Sequence, residues 1–179
     1  MRIFIVGGKS GSGKGEVAKL IKEYYIYKIE ESVITSFSKY LKMYATELTD
    51  WDGNPSTKPR GYLQTLGDTV RGYDNNFLIN RIKDDINIYS KFVNNVIISD
   101  ARMPEEIDEI AVSFDNVYSI YVDNQFRAST LSLTEQMHKT ETALEEYTDF
   151  DLYISNDSDI NSLKSKVFKF LDGVENDNK

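Results

Sequence analysis

The sequence predicts an α/β fold of three layers, α/β/α, with a parallel central sheet covered by helices on both faces. Three observations predict it. Short apolar runs such as Ile3-Phe4-Ile5-Val6 and Val96-Ile97-Ile98 recur along the chain. Longer segments with apolar residues at helical spacing separate them. A glycine-rich loop, Gly8-Lys9-Ser10-Gly11-Ser12-Gly13-Lys14, joins the first run to the first helical segment. Continuous apolar runs of this length read as strands buried on both faces, and strands alternating with helices imply parallel pairing through crossovers.

Taken in order, residues 2–6 are the first buried strand. The helix after the loop carries Val17, Leu20, Ile21 and Tyr24 on one face, a stripe that packs on the sheet. A weaker strand is best placed at Val33–Ser36, and a helix over about 38–48 carries Tyr40, Leu41, Tyr44 and Leu48. Residues 50–59 are turn chemistry throughout, with Trp51 as an anchor. A helix from near Arg60 to about Gly72 follows, then another after Asp74 as N-cap, with Ile79, Ile82, Ile86 and Tyr89 on its apolar face.

Asn95–Asp100 is a buried strand that ends in a carboxylate. Pro104 opens the next helix, with Glu105 and Glu106 in its first turn and Ile107, Ile110, Ala111 and Phe114 as its buried stripe. Val117–Val122 is a strand, residues 124–148 show no clean period, and Leu152–Ile154 is a last short strand. Asn156–Asp159 is a turn, and Leu163, Val167, Phe170 and Leu171 mark the final helix, with Glu175–Lys179 expected to fray.

Composition narrows the classes. The 179 residues fit one domain, 1–179, and the 40% hydrophobic and 28% charged fractions are those of a globular protein. A net charge of −8 disfavours nonspecific binding to nucleic acid or anionic membrane, so any anionic ligand needs local basic residues. The absence of cysteine removes disulfides, thiolate nucleophiles and cysteine zinc sites. No signal peptide and no apolar run of membrane-spanning length is found, so a cytoplasmic location is expected.

Gly8–Lys14 fits the first seven positions of G-x-x-x-x-G-K-[ST], the phosphate-binding P-loop. Glycines let successive N–H groups turn toward an anion, the following helix adds its N-terminal dipole, and Lys14 supplies a mobile charge for the β- and γ-phosphates. Residue 15 is Gly rather than Ser or Thr, so the hydroxyl that usually meets Mg²⁺ is missing, and Glu16 follows.

Ligands of such sheets bind beyond the carboxyl ends of the strands. Asp100 and Arg102 lie there. Asp100 either orients a metal, directly or through water, or caps the next helix. Arg102 meets a phosphate or forms a surface ion pair with Glu105 or Glu106. Gln64, Gly67 and Arg71 share one helix face, and with Arg60 they could clamp a monophosphate or remain solvated charges. Glycine inside a helix costs about 1 kcal/mol against alanine, which gives Gly67 a packing or ligand reason. His138, the only histidine, has no catalytic partner pattern. Most of the twelve tyrosines belong to packing, and some could stack on a base.

At these residues the chain resembles the phage-type deoxynucleoside monophosphate kinases, within the P-loop nucleoside monophosphate kinase superfamily. The resemblance spans nearly the whole chain. It rests on the loop ending Gly13-Lys14-Gly15, on Ser36-Phe37-Ser38 with Leu41-Lys42, and on Lys58-Pro59-Arg60-Gly61-Tyr62-Leu63-Gln64-Thr65-Leu66-Gly67 with Arg71. Ile98–Glu106, His138-Lys139-Thr140-Glu141 and Ile154–Asp157 complete it.

The resemblance implies a P-loop kinase fold with acceptor-binding helices over about 37–90 and a lid over about 124–148. It implies transfer of the γ-phosphoryl of ATP to a (deoxy)nucleoside monophosphate with Mg²⁺. Residues Gly8–Glu16 would hold the ATP phosphates, with Lys14, Asp100 and Arg102 catalytic and Asp100 at the metal. Arg60, Gln64, Arg71, His138 and Glu141 would serve the acceptor.

Two departures stand out: Glu16 replaces the usual threonine, and the lid carries only Arg127 and Lys139, so either Lys9 and Arg102 compensate or turnover is weak. Small nucleotides are the expected partners, with no nucleic acid polymer and no membrane, and a homodimer stays open. The alternatives are a kinase for another phosphorylated acceptor, such as dephospho-coenzyme A, and a non-catalytic nucleotide-binding protein.

Overall fold

A computed structural model describes residues 1–126 and 131–177 of the chain. Its strands are β1 (Arg2–Gly7), β2 (Ser32–Thr35), β3 (Asn95–Ala101), β4 (Val117–Asp123) and β5 (Leu152–Ser155). Its helices are α1 (Lys14–Tyr27), α2 (Ser38–Leu48), α3 (Arg60–Tyr73), α4 (Phe77–Tyr89), α5 (Pro104–Ser113), the short α6 (Leu133–Gln136) and α7 (Lys139–Thr142), and α8 (Ile160–Asp177). The strands form one five-stranded sheet in the order β2-β3-β1-β4-β5, and every pairing is parallel. The three-layer α/β/α reading holds.

The pleat of the central strands divides the core. Phe4, Val6 and Ile97 point to the face covered by α1 and α8, where Val17, Ile21, Leu163, Val167 and Leu171 meet them. Ile3, Ile5, Val96 and Ile98 point to the other face, packed by Ile79, Ile82 and Ile86 of α4 and Ile107 and Ile110 of α5. Side chains buried this fully contribute about 1.5–3 kcal/mol each, which explains why the apolar runs and helical stripes are readable at all.

A third cluster, Leu41, Ala45, Leu63 and Leu78, ties α2, α3 and α4 together beside the sheet. Trp51 packs at its edge and donates from Nε1 to the Asn54 carbonyl at 3.0 Å, as an anchor should. This cluster fixes where α2 and α3 stand relative to the ends of the strands.

Several local expectations need correction. Strand β2 lies one residue earlier, at Ser32–Thr35. Asp74 does not cap α4. It closes α3, donating its N–H to the Val70 carbonyl at 2.9 Å, while its Oδ1 accepts from Asn76 N–H at 2.9 Å, so α4 starts only at Phe77. Ala111 is exposed, outside the buried stripe of α5. Glu175 is not frayed: it pairs with Arg2 at 2.8 Å and Lys28 at 3.2 Å and accepts from the Tyr25 hydroxyl, tying α8 across to β1 and α1. Among the described residues no helix is long and apolar enough to cross a membrane.

Candidate active site

The glycine-rich loop leaves the carboxyl end of β1, the strand flanked by both β3 and β4. Gly8 has φ +134°, and a Cβ there would stand 2.3 Å from the Val122 carbonyl oxygen. Gly13 has φ +106°, and a Cβ there would meet the Asn156 amide nitrogen at 2.2 Å. That amide donates to the Ser12 carbonyl at 2.9 Å, so the segment after β5 braces the loop from outside. Gly15 is different: its φ is not positive and a Cβ there would have nothing within 4 Å, so its backbone does not require glycine.

Lys14 is 7% exposed and donates from Nζ to the carbonyls of Gly8 and Lys9, both at 2.6 Å. Burial, seconded by the charge of Arg102, lowers its pKa to about 7. The ammonium therefore sits under-compensated at the base of the loop, where an arriving anion would stabilise it. Glu16 faces solvent and pairs with Lys19 at 3.1 Å, a helix-surface pair that takes no part in the loop's interior.

Asp100 works across the sheet. Its Oδ1 accepts from Phe37 N–H at 2.7 Å, and its Oδ2 from Ser38 N–H at 3.1 Å and the Ser38 hydroxyl at 2.5 Å. It thus satisfies donors at the start of α2, not of α5 as a local capping reading would have it. Arg102 pairs with Glu141 at 2.8 Å rather than with Glu105 or Glu106. The same Glu141 carboxylate accepts the Ser10 N–H of the loop at 2.7 Å.

These residues surround one cavity of about 170 Å³, in which Arg60, Gln64, Arg71, Asp100, Arg102 and Glu141 come together as the sequence suggested. A second cavity, of about 140 Å³, adjoins the loop at Lys9–Ser12, Asp123 and Asn124. Leu131 and Glu141 line both, so the two spaces meet at Glu141.

Lys42 and Lys58 also line the larger cavity, which makes five cationic side chains against two carboxylates among the described residues. Burial, with the charges of Lys42 and Arg60 adding to it, lowers the Lys58 pKa to about 8. In a chain of net charge −8 this local excess of positive charge favours an anion there. Leu41, Leu63 and Leu131 supply its apolar wall, and among the described residues no tyrosine lines either space.

Arg60 reaches the Ser10 hydroxyl at 3.4 Å, spanning from α3 to the phosphate loop. Gln64 donates to the Glu135 carbonyl at 3.3 Å. Arg71 folds back over Gly67, where a Cβ would stand 3.0 Å from its Nη1 and 3.3 Å from Leu41 Cδ1. This is the packing reason for a glycine inside α3.

The structure does not bring His138 into the cavity. Its Nε2 meets Asp68 at 2.8 Å and its Nδ1 the Thr140 hydroxyl at 2.9 Å, beside a separate surface groove along α3. Lys9 pairs with Glu145 at 2.5 Å, and Lys139 with Asp68 at 3.5 Å, so neither projects freely toward the phosphates. Arg127 lies outside the described residues.

Sequence reasoning gave no site role to Lys42, Lys58 and Asn156, and read Glu106 only as a first-turn acid or a surface partner of Arg102. Lys58 stands two residues before Arg60, and that proximity is the one local signal that points to it. Among the described residues no group of three or more His, Cys, Asp or Glu forms a metal cluster. The acidic donor set at the loop is Asp100, Asp123 and Glu141, spread along the two cavities.

The sequence matches no protein-family model and no curated protein. The fold does match solved structures. A sugar kinase from Janibacter sp. HTCC2649 superposes with a TM-score of 0.54 at 15% identity, covering 96% of this chain and 95% of that one. A shikimate kinase from Bacteroides thetaiotaomicron gives 0.53 at 17% identity over 98% of each chain. A dephospho-CoA kinase from Campylobacter jejuni gives 0.52 at 14% identity over 100% of each. The chain therefore has the fold of the P-loop kinases along its whole length.

Proposed function

We propose that this chain is an ATP-dependent phosphotransferase whose acceptor is itself a phosphate monoester, a (deoxy)nucleoside monophosphate. The observation that carries the reading is the cavity facing the phosphate loop, where five cationic side chains stand against two carboxylates. The fold's neighbours bear the names of kinases with unlike acceptors, so the fold leaves the acceptor open. The charge of the wall narrows it: a neutral sugar would leave the excess of cations over carboxylates in the cavity unbalanced, whereas a phosphate dianion would offset it.

In this reading the ATP phosphates lie in the loop and Lys14 exchanges the Gly8 and Lys9 carbonyls for phosphate oxygens. The acceptor's phosphate oxygen attacks the γ-phosphorus, the bond from γ-phosphorus to the bridging oxygen breaks, and ADP leaves with that oxygen. Arg60, Arg71 and Arg102 hold the acceptor in line and offset the negative charge that the two phosphates bring together. Glu141 has to leave the Ser10 N–H when the loop fills.

Mg²⁺ fits this donor set through water. Mg²⁺ in phosphate sites is held by one or two carboxylates with phosphates and waters, and in this reading Asp100, whose Oδ1 accepts a single hydrogen bond, would be that carboxylate. When bound, it would neutralise charge on the β- and γ-phosphates.

A coupled assay with ATP and Mg²⁺ across the nucleoside and deoxynucleoside monophosphates and dephospho-coenzyme A tests the reading. Turnover with a monophosphate is expected. Turnover with dephospho-coenzyme A alone would move the acceptor to the alternative class, and nucleotide binding without turnover on any acceptor would make the chain a binding protein.

A further inference from the structure

Nothing in the transfer step uses Glu106, yet it is an ionisable group placed directly behind the acceptor wall. It is 2% exposed. Its Oε1 stands 3.3 Å from Arg71 Nη2, and its Oε2 accepts from Arg102 N–H at 2.7 Å and Met103 N–H at 3.2 Å. One carboxylate thus joins a guanidinium of α3 to the backbone corner between β3 and α5, the corner that carries Asp100 and Arg102. On the other side Gly67 leaves room for the guanidinium, since a Cβ there would stand 3.0 Å from Arg71 Nη1. A buried ion pair is a poor source of stability, since desolvation offsets most of its attraction. Its value here lies in fixing direction: Glu106 holds one end of the guanidinium, and Gly67 leaves the space in which it lies along the cavity wall.

We propose that Glu106 is a positioning residue for the acceptor site, holding Arg71 and the Asp100–Arg102 corner in the mutual geometry that an acceptor phosphate requires. The inference rests on the phosphorylated-acceptor reading and adds to it a residue that does not touch the acceptor. Glutamine at this position keeps an oxygen for the Arg102 and Met103 N–H groups but turns a donor toward Arg71, so the corner survives and the guanidinium is released.

The test uses the full chain with ATP and the monophosphate that the wild type phosphorylates. Glu106→Gln should raise the acceptor KM by about tenfold or more, with kcat and the ATP KM within about twofold. In ¹⁵N-labelled protein the Arg71 side-chain signal, assigned with Arg71→Lys, should pass from restricted to freely averaged. Gly67→Ala disturbs Arg71 from its other side while leaving the carboxylate in place. It should also raise the acceptor KM alone, and it carries the test if Glu106→Gln does not fold.

An acceptor KM unchanged in both variants overturns the proposal, as does an equal rise in both substrates' KM, which would mark a general structural role. An Arg71 signal unaffected by Glu106→Gln overturns it too. A wild type that phosphorylates no monophosphate overturns the acceptor reading itself, and is told apart from these outcomes because it appears before any variant is made.

Discussion

The two ends of the central cleft are built from different materials. The phosphate loop is made of backbone: Gly8 and Gly13 hold it in conformations that a Cβ would destroy, and Lys14 is tied to two of its own carbonyls. The cationic wall, the acceptor side in the proposed reading, is made of side chains: Lys42 comes from α2, Lys58 from the segment before α3, Arg60 and Arg71 from α3, and Arg102 from the corner after β3. A backbone site reads any phosphate, because N–H groups and a helix end recognise charge and little else. A side-chain wall can be altered one residue at a time, so in the proposed reading substrate choice belongs there. The difference predicts which substitutions stop the reaction and which only redirect it.

The largest effects should fall on the loop. Lys14→Met should lower kcat/KM by about 10³-fold or more with circular dichroism unchanged, since the lost cation is one the fold already disfavours. Gly8→Ala should fail structurally, from its contact with the Val122 carbonyl and its positive φ, while Gly15→Ala should keep activity and raise stability by up to about 1 kcal/mol. A Gly15→Ala variant as damaged as Gly8→Ala would break the view that only some of the loop's glycines are required by backbone.

On the acceptor wall, Lys58→Met should raise the monophosphate KM by about tenfold or more and leave the ATP KM alone. The melting temperature should hold or rise, because this lysine is half-buried among like charges. A fall in melting temperature with no change in KM would assign Lys58 to structure instead.

The lowered pKa of Lys14 gives a pH test of the loop. Near pH 8 the free protein holds less than one proton on Lys14, and a bound polyphosphate draws that proton back, so ATP binding should take up protons and weaken as pH rises from about 7 toward 10.5. Titration calorimetry in buffers of different ionisation enthalpy reads the uptake directly, and a value of zero at pH 8 would contradict the buried, under-compensated ammonium. The smallest effect is expected at His138. Its partners are Asp68 and Thr140, outside the cavity, so His138→Ala should leave both KM values within about twofold and cost less than about 1 kcal/mol.

What could be read from the sequence follows the same division. The loop, the strands and the amphipathic helices announce themselves through local spacing, and the candidates Arg60, Gln64, Arg71, Asp100, Arg102 and Glu141 do converge on one cavity. The pairings among them are not legible. Asp100 meets Phe37 and Ser38 across 63 and 62 residues of chain, and Asn156 braces Ser12 across 144. By local pattern Glu106 is a first-turn acid favoured by the helix dipole, and only a contact across 35 residues of chain makes it the partner of Arg71. Asp74 is a reasonable cap by residue type, but an Asx turn with Asn76 competes for it and wins. Glu175 sits in a polar tail by composition and is held by Arg2, Lys28 and Tyr25, which no local window contains.

The most direct test of the acceptor reading is the chemistry of the product. Phosphorus NMR of the wild type with ATP, Mg²⁺ and its preferred monophosphate should show the acceptor's phosphate signal replaced by a coupled phosphoanhydride pair as ADP accumulates. A new uncoupled phosphate ester beside an unchanged acceptor phosphate would mean that a hydroxyl is the true acceptor, and would contradict the cationic wall's role as the seat of an attacking phosphate.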